Sequence, residues 1–264
     1  MRADTVKSML VFAAALVIVL LVFAARHHSP TRRKIARIWH GRVSWEEESN
    51  TPRETSRNTC VVSVITGPKF AQFSKRLIDN KQQYCAKMGF QCHIFKDSIV
   101  TEYRPLAWQK VHAIDTVLAM GNCHRLLWLD GDAIIMQPVK LPETTCNIAL
   151  TKDSNGINTG VMIIKNTEWS DHFFHRVANT TAFDYHPWWE QAAIIHFIET
   201  EPWLFEKHIE YISQDIYNSY DINRTPFIYH TAGCGSHCFH KWETAFNKIT
   251  DWRTMLRTSV RVVV

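Results

Sequence analysis

Asp130 and Asp132 flank a single glycine at the end of an apolar run, Leu126-Leu127-Trp128-Leu129. Two carboxylates this close repel unless a cation or water separates them. Hard oxygen ligands of this kind suit Mg²⁺ or Mn²⁺, with diphosphate oxygens and waters completing the octahedron. Asp-Gly is also a favoured hairpin turn. Position weighs against the hairpin here, because the run closes a strand whose neighbours are expected to be parallel, and parallel strands are not joined by hairpins.

Three further segments carry candidate chemistry. Asp153-Ser154-Asn155-Gly156-Ile157-Asn158-Thr159-Gly160 reads as a turn of short polar side chains feeding the strand Val161-Met162-Ile163-Ile164. Asn158 there either hydrogen-bonds sugar hydroxyls or caps its own turn. Pro187, followed by Trp188-Trp189-Glu190-Gln191, marks a helix start. Glu190 and Gln191 in a first turn face a cleft, or Glu190 simply complements the helix N-terminus, its commoner role. Trp188 and Trp203 are either stacking platforms for acceptor sugar rings or, more often for tryptophan, core residues. Phe227-Ile228-Tyr229-His230-Thr231-Ala232-Gly233-Cys234 delivers His230 at a strand end as a candidate third metal ligand. Gly233 then lets backbone amides approach an anion. A rival reading gathers His230, Cys234, His237, Cys238 and His240 around zinc, although the spacings match no common zinc module.

These residues need a scaffold. Cys60 to Thr66 is a β-rich apolar run stopped by Gly67-Pro68. Phe70, Phe73, Leu77 and Tyr84 follow at helical spacing, then a short strand over Gln91–Phe95. Trp108, Val111, Ile114 and Leu118 mark a second helix before the strand that ends at Asp130. Strand, helix, strand, helix, strand predicts an α/β domain with a parallel sheet. Ligands of such sheets bind beyond the carboxyl ends of the strands, which singles out Thr66 and Gly67 beside Asp130 and Asp132. Trp242, Phe246, Ile249 and Leu256 predict a packing helix near the C-terminus.

The chain of 264 residues is 46% hydrophobic and 21% charged, a composition for one packed domain. Its net charge of +5 is mild and partly local to Arg26, Arg32, Arg33, Lys34 and Arg37. No nucleic-acid module accompanies it. Met9–Ala25 is an unbroken apolar run, longer than a signal-peptide core and near the lower limit for a membrane span. The division expected is a cytosolic tail (1–8), a signal anchor (9–25), a polar stem (26–58) and a catalytic domain (59–264). The flanking charges taken alone would keep the body in the cytosol. The sequons Asn179-Thr180-Thr181 and Asn223-Arg224-Thr225 argue for the lumen. Of the seven cysteines, Cys234 and Cys238 form a plausible lumenal disulfide, and the odd count leaves at least one thiol free.

The combined pattern resembles the retaining glycosyltransferases of family 34, the galactosyl-, mannosyl- and xylosyltransferases of Golgi membranes. The resemblance runs from about Val61 to Cys238. It rests on Val64-Ile65-Thr66-Gly67, Tyr84-Cys85 with Gly89, Trp108-Gln109-Lys110, Trp128-Leu129-Asp130-Gly131-Asp132-Ala133, Gly156 to Gly160, Glu190-Gln191 and His230 to Cys234. It implies a GT-A fold, a divalent metal (usually Mn²⁺), a nucleotide-sugar donor and a glycan acceptor. It also implies retained anomeric configuration and a single-pass type II protein of the Golgi membrane with a lumenal domain. By position, Asp130, Asp132 and His230 would hold the metal, and Thr66, Gly67 and Lys110 would lie on the nucleotide side. Asn158, Glu190 and Gln191 would face the donor sugar. One departure is Gly235, where many members carry a lysine that would touch the diphosphate. That departure keeps open a catalytically silent subunit of a transferase complex; homo- and hetero-oligomers both remain open.

Overall fold

The computed structural model describes residues 58–99, 104–234 and 238–249. The expected anchor and all but the last residue of the expected stem, together with Gly235, His237 and Leu256, lie outside the described residues. Among the described residues no helix is long and apolar enough to cross a membrane.

Strand β1 (Thr59–Val64) leads through a 3-10 turn at Pro68–Phe70 into helix α1 (Ser74–Met88) and strand β2 (Gln91–Phe95). A second 3-10 turn, Leu106–Trp108, opens helix α2 (Gln109–Met120), and strand β3 (Arg125–Leu129) follows. Strand β1 pairs in parallel with both β2 and β3, as the alternating pattern predicts. Its first five residues are buried, and only the last is partly open. A continuous apolar run suits a strand covered on both faces.

The second half departs from a parallel sheet. After β4 (Ala133–Ile135) come β5 (Ile148–Asp153) and β6 (Gly156–Lys165), which form an antiparallel hairpin. Strand β6 inserts antiparallel beside β3. Helices α3 (Glu168–Asn179), α4 (Trp189–Thr200) and α5 (Pro202–Phe205) precede β7 (Ile209–Tyr211), which pairs in parallel with β5. The six-stranded sheet therefore has the order β2-β1-β3-β6-β5-β7 and is mixed. Helix α6 (Gln214–Tyr217), β8 (Ile228–His230) and α7 (Cys238–Lys248) complete the described chain.

The polar stretch from Asp153 to Gly160 is not one long turn. Only Ser154 and Asn155 separate the paired strands, and Asn158 and Thr159 already lie within β6. Short polar side chains resemble a turn in sequence, but partners across the strand satisfy them here.

Strands β4 and β8 form a small separate sheet in which Ala133 faces His230. That register sets the site, because it places the residue after Asp132 directly opposite the histidine. Thr231 reinforces it by donating from its backbone N–H and its hydroxyl to the Asp132 carbonyl, at 3.3 and 3.1 Å. Buried Trp242 of α7 donates to the Thr231 hydroxyl at 2.8 Å.

Six of the seven cysteines are paired, as Cys60–Cys123, Cys85–Cys92 and Cys234–Cys238; Cys146 is free. The Cα atoms of Cys234 and Cys238 are 5.1 Å apart, within the expected disulfide range. Their sulfurs bond to each other, so the zinc grouping is excluded.

Candidate active site

A cleft of about 850 Å³ opens beyond the carboxyl ends of β1 and β3. Its lining includes every site residue expected from sequence: Thr66, Gly67, Lys110, Asp130, Asp132, Asn158, Glu190, Gln191, His230 and Gly233. Trp188 also lines it and is exposed; exposed Trp203 does not line it. Neither tryptophan took the core position that is the commoner fate of its type.

One carboxylate, one histidine and a second carboxylate meet at the centre. Candidate ligand atoms of Asp130, Asp132 and His230 all lie within 4.8 Å of one another. His230 Nε2 is 3.2 Å from Asp132 Oδ1 and 3.8 Å from Asp130 Oδ2. The opposite ring nitrogen, Nδ1, is 2.7 Å from Asn218 Oδ1. The Asn218 amide nitrogen is committed to Thr151 Oγ1 and Asn158 Oδ1, each at 2.8 Å. Its oxygen therefore faces the ring, Nδ1 carries the donated hydrogen, and Nε2 is the nitrogen directed at the carboxylates. Two carboxylates and an imidazole nitrogen converging on one point fit a divalent cation. Gly160 belongs to the same arrangement: a Cβ there would fall 2.2 Å from His230 Cε1. Any larger residue displaces the ring.

Asp132 is almost buried, and burial alone would raise its pKa. The hydrogen bond and charge of His230, together with Lys69 at 2.8 Å, overcome that and hold its carboxyl well below the usual range. Asp130 is oriented differently. Its Oδ1 accepts from Trp128 Nε1 at 2.9 Å and lies 3.0 Å from Lys110 Nζ.

Lys110 sits on the cleft floor and serves two acids. It is 2.8 Å from Glu190 Oε1 and donates to Thr159 Oγ1 at 3.1 Å. Burial alone would lower its pKa, but Asp130 and Glu190 reverse that and hold it above its ordinary value. Glu190 shares this single ammonium with Asp130. Burial accordingly raises its carboxyl pKa, and Lys110 offsets that only in part. Its other oxygen, Oε2, is buried without a hydrogen-bond partner. A buried polar atom left unpaired costs about 1–3 kcal/mol, and such atoms gather where a ligand supplies the partner. Glu190 thus lies in the first turn of α4 and is also tied to the cleft floor through Lys110. Neighbouring Gln191 accepts from Thr159 N–H at 3.1 Å and from its hydroxyl at 3.2 Å.

Asn158 is placed in the cleft wall but is fully engaged by the protein. Its amide nitrogen donates to Asp153 Oδ2 at 3.0 Å and to the Tyr220 hydroxyl at 2.7 Å. Its oxygen accepts from Gly160 N–H and Asn218, each at 2.8 Å. All four positions are taken, so Asn158 supports His230 through Asn218 and has no capacity left for a sugar hydroxyl. Asp153 and Tyr220 line the cleft beside it, joined at 2.5 Å.

A profile of the galactosyl transferase GMA12/MNN10 family matches residues 57–143 and 137–240. The chain belongs to this family. Within it, the probable alpha-1,6-mannosyltransferase MNN10 of Saccharomyces cerevisiae is 27% identical, over 48% of this chain and 43% of that protein. The match thus spans less than half the length of that curated relative. Among solved structures, the fold is similar to a glycosyltransferase involved in glycosylation of the major capsid of PBCV-1. That similarity has a TM-score of 0.56 at 14% identity, covering 69% of this chain and 99% of the other. The glycosyltransferase GlyE of Streptococcus pneumoniae TIGR4 gives a TM-score of 0.47 at 15% identity, covering 77% of this chain and 63% of the other. This family member thus has a GT-A-like α/β fold, and the matched regions contain the whole Asp130–Asp132–His230 cluster.

Lys69, Asn218 and Tyr220 were not singled out by sequence reasoning. Lys69 follows Gly67-Pro68 and looks like any surface lysine. Asn218 and Tyr220 sit in Tyr217-Asn218-Ser219-Tyr220, which has no motif. Only the pairing of β8 brings that segment to the site, with Ser219 accepting from His230 N–H at 2.8 Å.

Proposed function

We propose that this chain is a metal-dependent retaining glycosyltransferase. It moves a hexosyl or pentosyl unit from a UDP- or GDP-sugar to a glycan acceptor. The observation that carries the reading is one cleft holding both the Asp130–Asp132–His230 cluster and a carboxylate, Glu190, whose outer oxygen is unpartnered.

Asp130, Asp132 and His230 would hold Mn²⁺ or Mg²⁺, which supplies Lewis-acid neutralisation of the leaving diphosphate. Thr66 and Gly67 flank the nucleotide side. Gly67 has φ +91°, a backbone that lets the chain turn sharply beside a ligand. On cleavage of the sugar–phosphate bond the sugar becomes oxocarbenium-like. Glu190 Oε2 then faces developing positive charge, while Lys110 fixes the other oxygen. The acceptor hydroxyl attacks on the face the phosphate leaves, and a phosphate oxygen takes its proton. A covalent sugar ester on Glu190 is the poorer alternative, since the carboxylate is buried and tied to Lys110. Trp188 and Trp189 at the cleft mouth are exposed and suit stacking on acceptor sugar rings.

The proposed setting is the Golgi lumen, with residues 9–25 as a type II anchor, 26–58 as stem and 59–264 as catalytic domain. Three disulfides support an oxidising compartment. The sequon residues Asn179 and Asn223 are both exposed. Protease protection in intact microsomes tests the topology; digestion of the domain without detergent would overturn it. The activity is tested by screening UDP- and GDP-sugars with the purified chain, with and without Mn²⁺. Hydrolysis or transfer supports the enzyme. Donor binding without turnover means a catalytically silent subunit.

A further inference from the structure

The cleft lining is rich in acid. Asp130, Asp132, Asp153 and Glu190 face it, against the lysines Lys69 and Lys110 among the described residues. Lys110 is buried and spends its ammonium on Asp130, Glu190 and Thr159. Lys69 differs. Its side chain is 43% exposed, and among the described residues its one ion pair is with Asp132 Oδ2 at 2.8 Å. An anionic ligand that enters this cleft meets one lysine able to turn toward it.

The loop that carries Lys69 is held firmly in place. Phe70 stacks on buried Trp242 with ring centroids 5.7 Å apart. The same ring presses on the turn between the two aspartates, where a Cβ on Gly131 would fall 2.7 Å from Phe70 Cζ and 2.8 Å from the Val64 carbonyl oxygen. The loop after β1 and the Asp130–Asp132 turn are therefore packed directly against each other. The Lys69 backbone is held at the edge of the cluster while its half-exposed side chain is engaged by Asp132 and lies over the Phe70 ring.

We propose that Lys69 is the side chain that binds the donor's diphosphate, by exchanging partners. Its ammonium pairs with Asp132 in the free protein. When a divalent cation takes the Asp132 carboxylate, the two positive charges repel, and Lys69 swings to the phosphate oxygens of the nucleoside diphosphate. The exchange keeps Asp132 neutralised in both states and delivers a second positive charge beside the leaving group. This rests on the reading above that the cleft takes a metal and a nucleotide-sugar.

The exchange gives two effects of opposite sign. Lys69 competes with the cation for Asp132 but assists the diphosphate. In the full chain, Lys69→Met should weaken Mn²⁺-dependent binding of UDP or GDP by about tenfold or more, the scale of one charged hydrogen bond. Mn²⁺ binding without nucleotide should stay equal or become tighter. Lys69→Arg, which keeps the charge, should retain most of the nucleotide affinity. Isothermal titration with Mn²⁺ alone, then with UDP and GDP, reads both effects. Unchanged nucleotide affinity in Lys69→Met overturns the proposal. Equal loss of Mn²⁺ and nucleotide binding also overturns it, because Lys69 would then only brace the loop. If the wild-type chain binds neither UDP nor GDP with Mn²⁺, the parent reading fails and takes this one with it.

Discussion

Asn218 Oδ1 accepts the Nδ1 hydrogen of His230 at 2.7 Å, on the ring face opposite Asp132. One buried amide thus decides which histidine nitrogen faces the two carboxylates. Outer partners of this kind typically change metal affinity by about 10–100-fold when removed. Asn218→Leu should lower Mn²⁺ affinity by that order in a calorimetric titration. Asn218→Asp still offers an acceptor to Nδ1 and should lose less. Equal losses in the two variants would place the effect in packing and not in the ring's orientation.

Lys110 shares one ammonium between Asp130 and Glu190, both close enough for direct pairing. Removing it leaves buried Glu190 uncompensated and half-buried Asp130 without this partner, a change that typically costs about 3–5 kcal/mol. Lys110→Met should therefore lower the melting temperature by roughly 10 °C. Adding Glu190→Gln removes one stranded charge and should recover part of the loss. Additive losses in the double variant would show that the two residues are not coupled. Glu190→Gln alone should leave donor binding nearly intact and cut turnover by about 100-fold or more, the scale of losing one group that stabilises charge in the transition state.

Lys81 lies fully buried beneath the Asp130–Asp132 turn and donates to the carbonyls of Ala133 at 2.8 Å and Gly131 at 3.4 Å. Burial pushes its pKa from 10.5 down to about 7, against the opposing pull of Asp132 and Asp130. Between pH 7 and about 10 the unfolded chain holds a proton that the folded chain has released. Stability from this group therefore rises with pH across that window, by up to about 1.4 kcal/mol per pH unit. Urea denaturation of wild type and Lys81→Met at pH 7, 8 and 9 checks the sign. The wild-type stability should gain on the variant as pH rises. Parallel curves would mean that Lys81 keeps its ordinary pKa in the fold.

Strand ends proved readable in the sequence because each apolar run stops at a polar or glycine residue. The runs Cys60 to Thr66 and Leu126 to Leu129 place Thr66, Gly67, Asp130 and Asp132 at one edge of the sheet. His230 was legible as a strand end, but its partner was not. The pairing of Ala133 with His230 joins residues almost a hundred positions apart, and no local pattern encodes that register. Asn218 is close to His230 in sequence but sits in a segment with no motif and meets the ring only through β8; the Cys60–Cys123 bond, whose sequence separation is 63, has no local pattern either. Asn158 misled because short polar residues favour turns and also satisfy buried networks; here the network wins. Lys69 belongs to no motif in the sequence, and only the loop after β1 brings it to the cleft.

The central claim is that the Asp130–Asp132–His230 cluster binds a divalent cation that the donor requires. It is tested most directly by measuring UDP-sugar and GDP-sugar binding to wild type and Asp132→Asn, each with Mn²⁺ and with EDTA. The account predicts that wild type binds at least one donor with Mn²⁺ and loses it with EDTA. Asp132→Asn, still folded by circular dichroism, should bind none under either condition. Donor binding that is equal in wild type and Asp132→Asn, or that persists undiminished in EDTA, would contradict it.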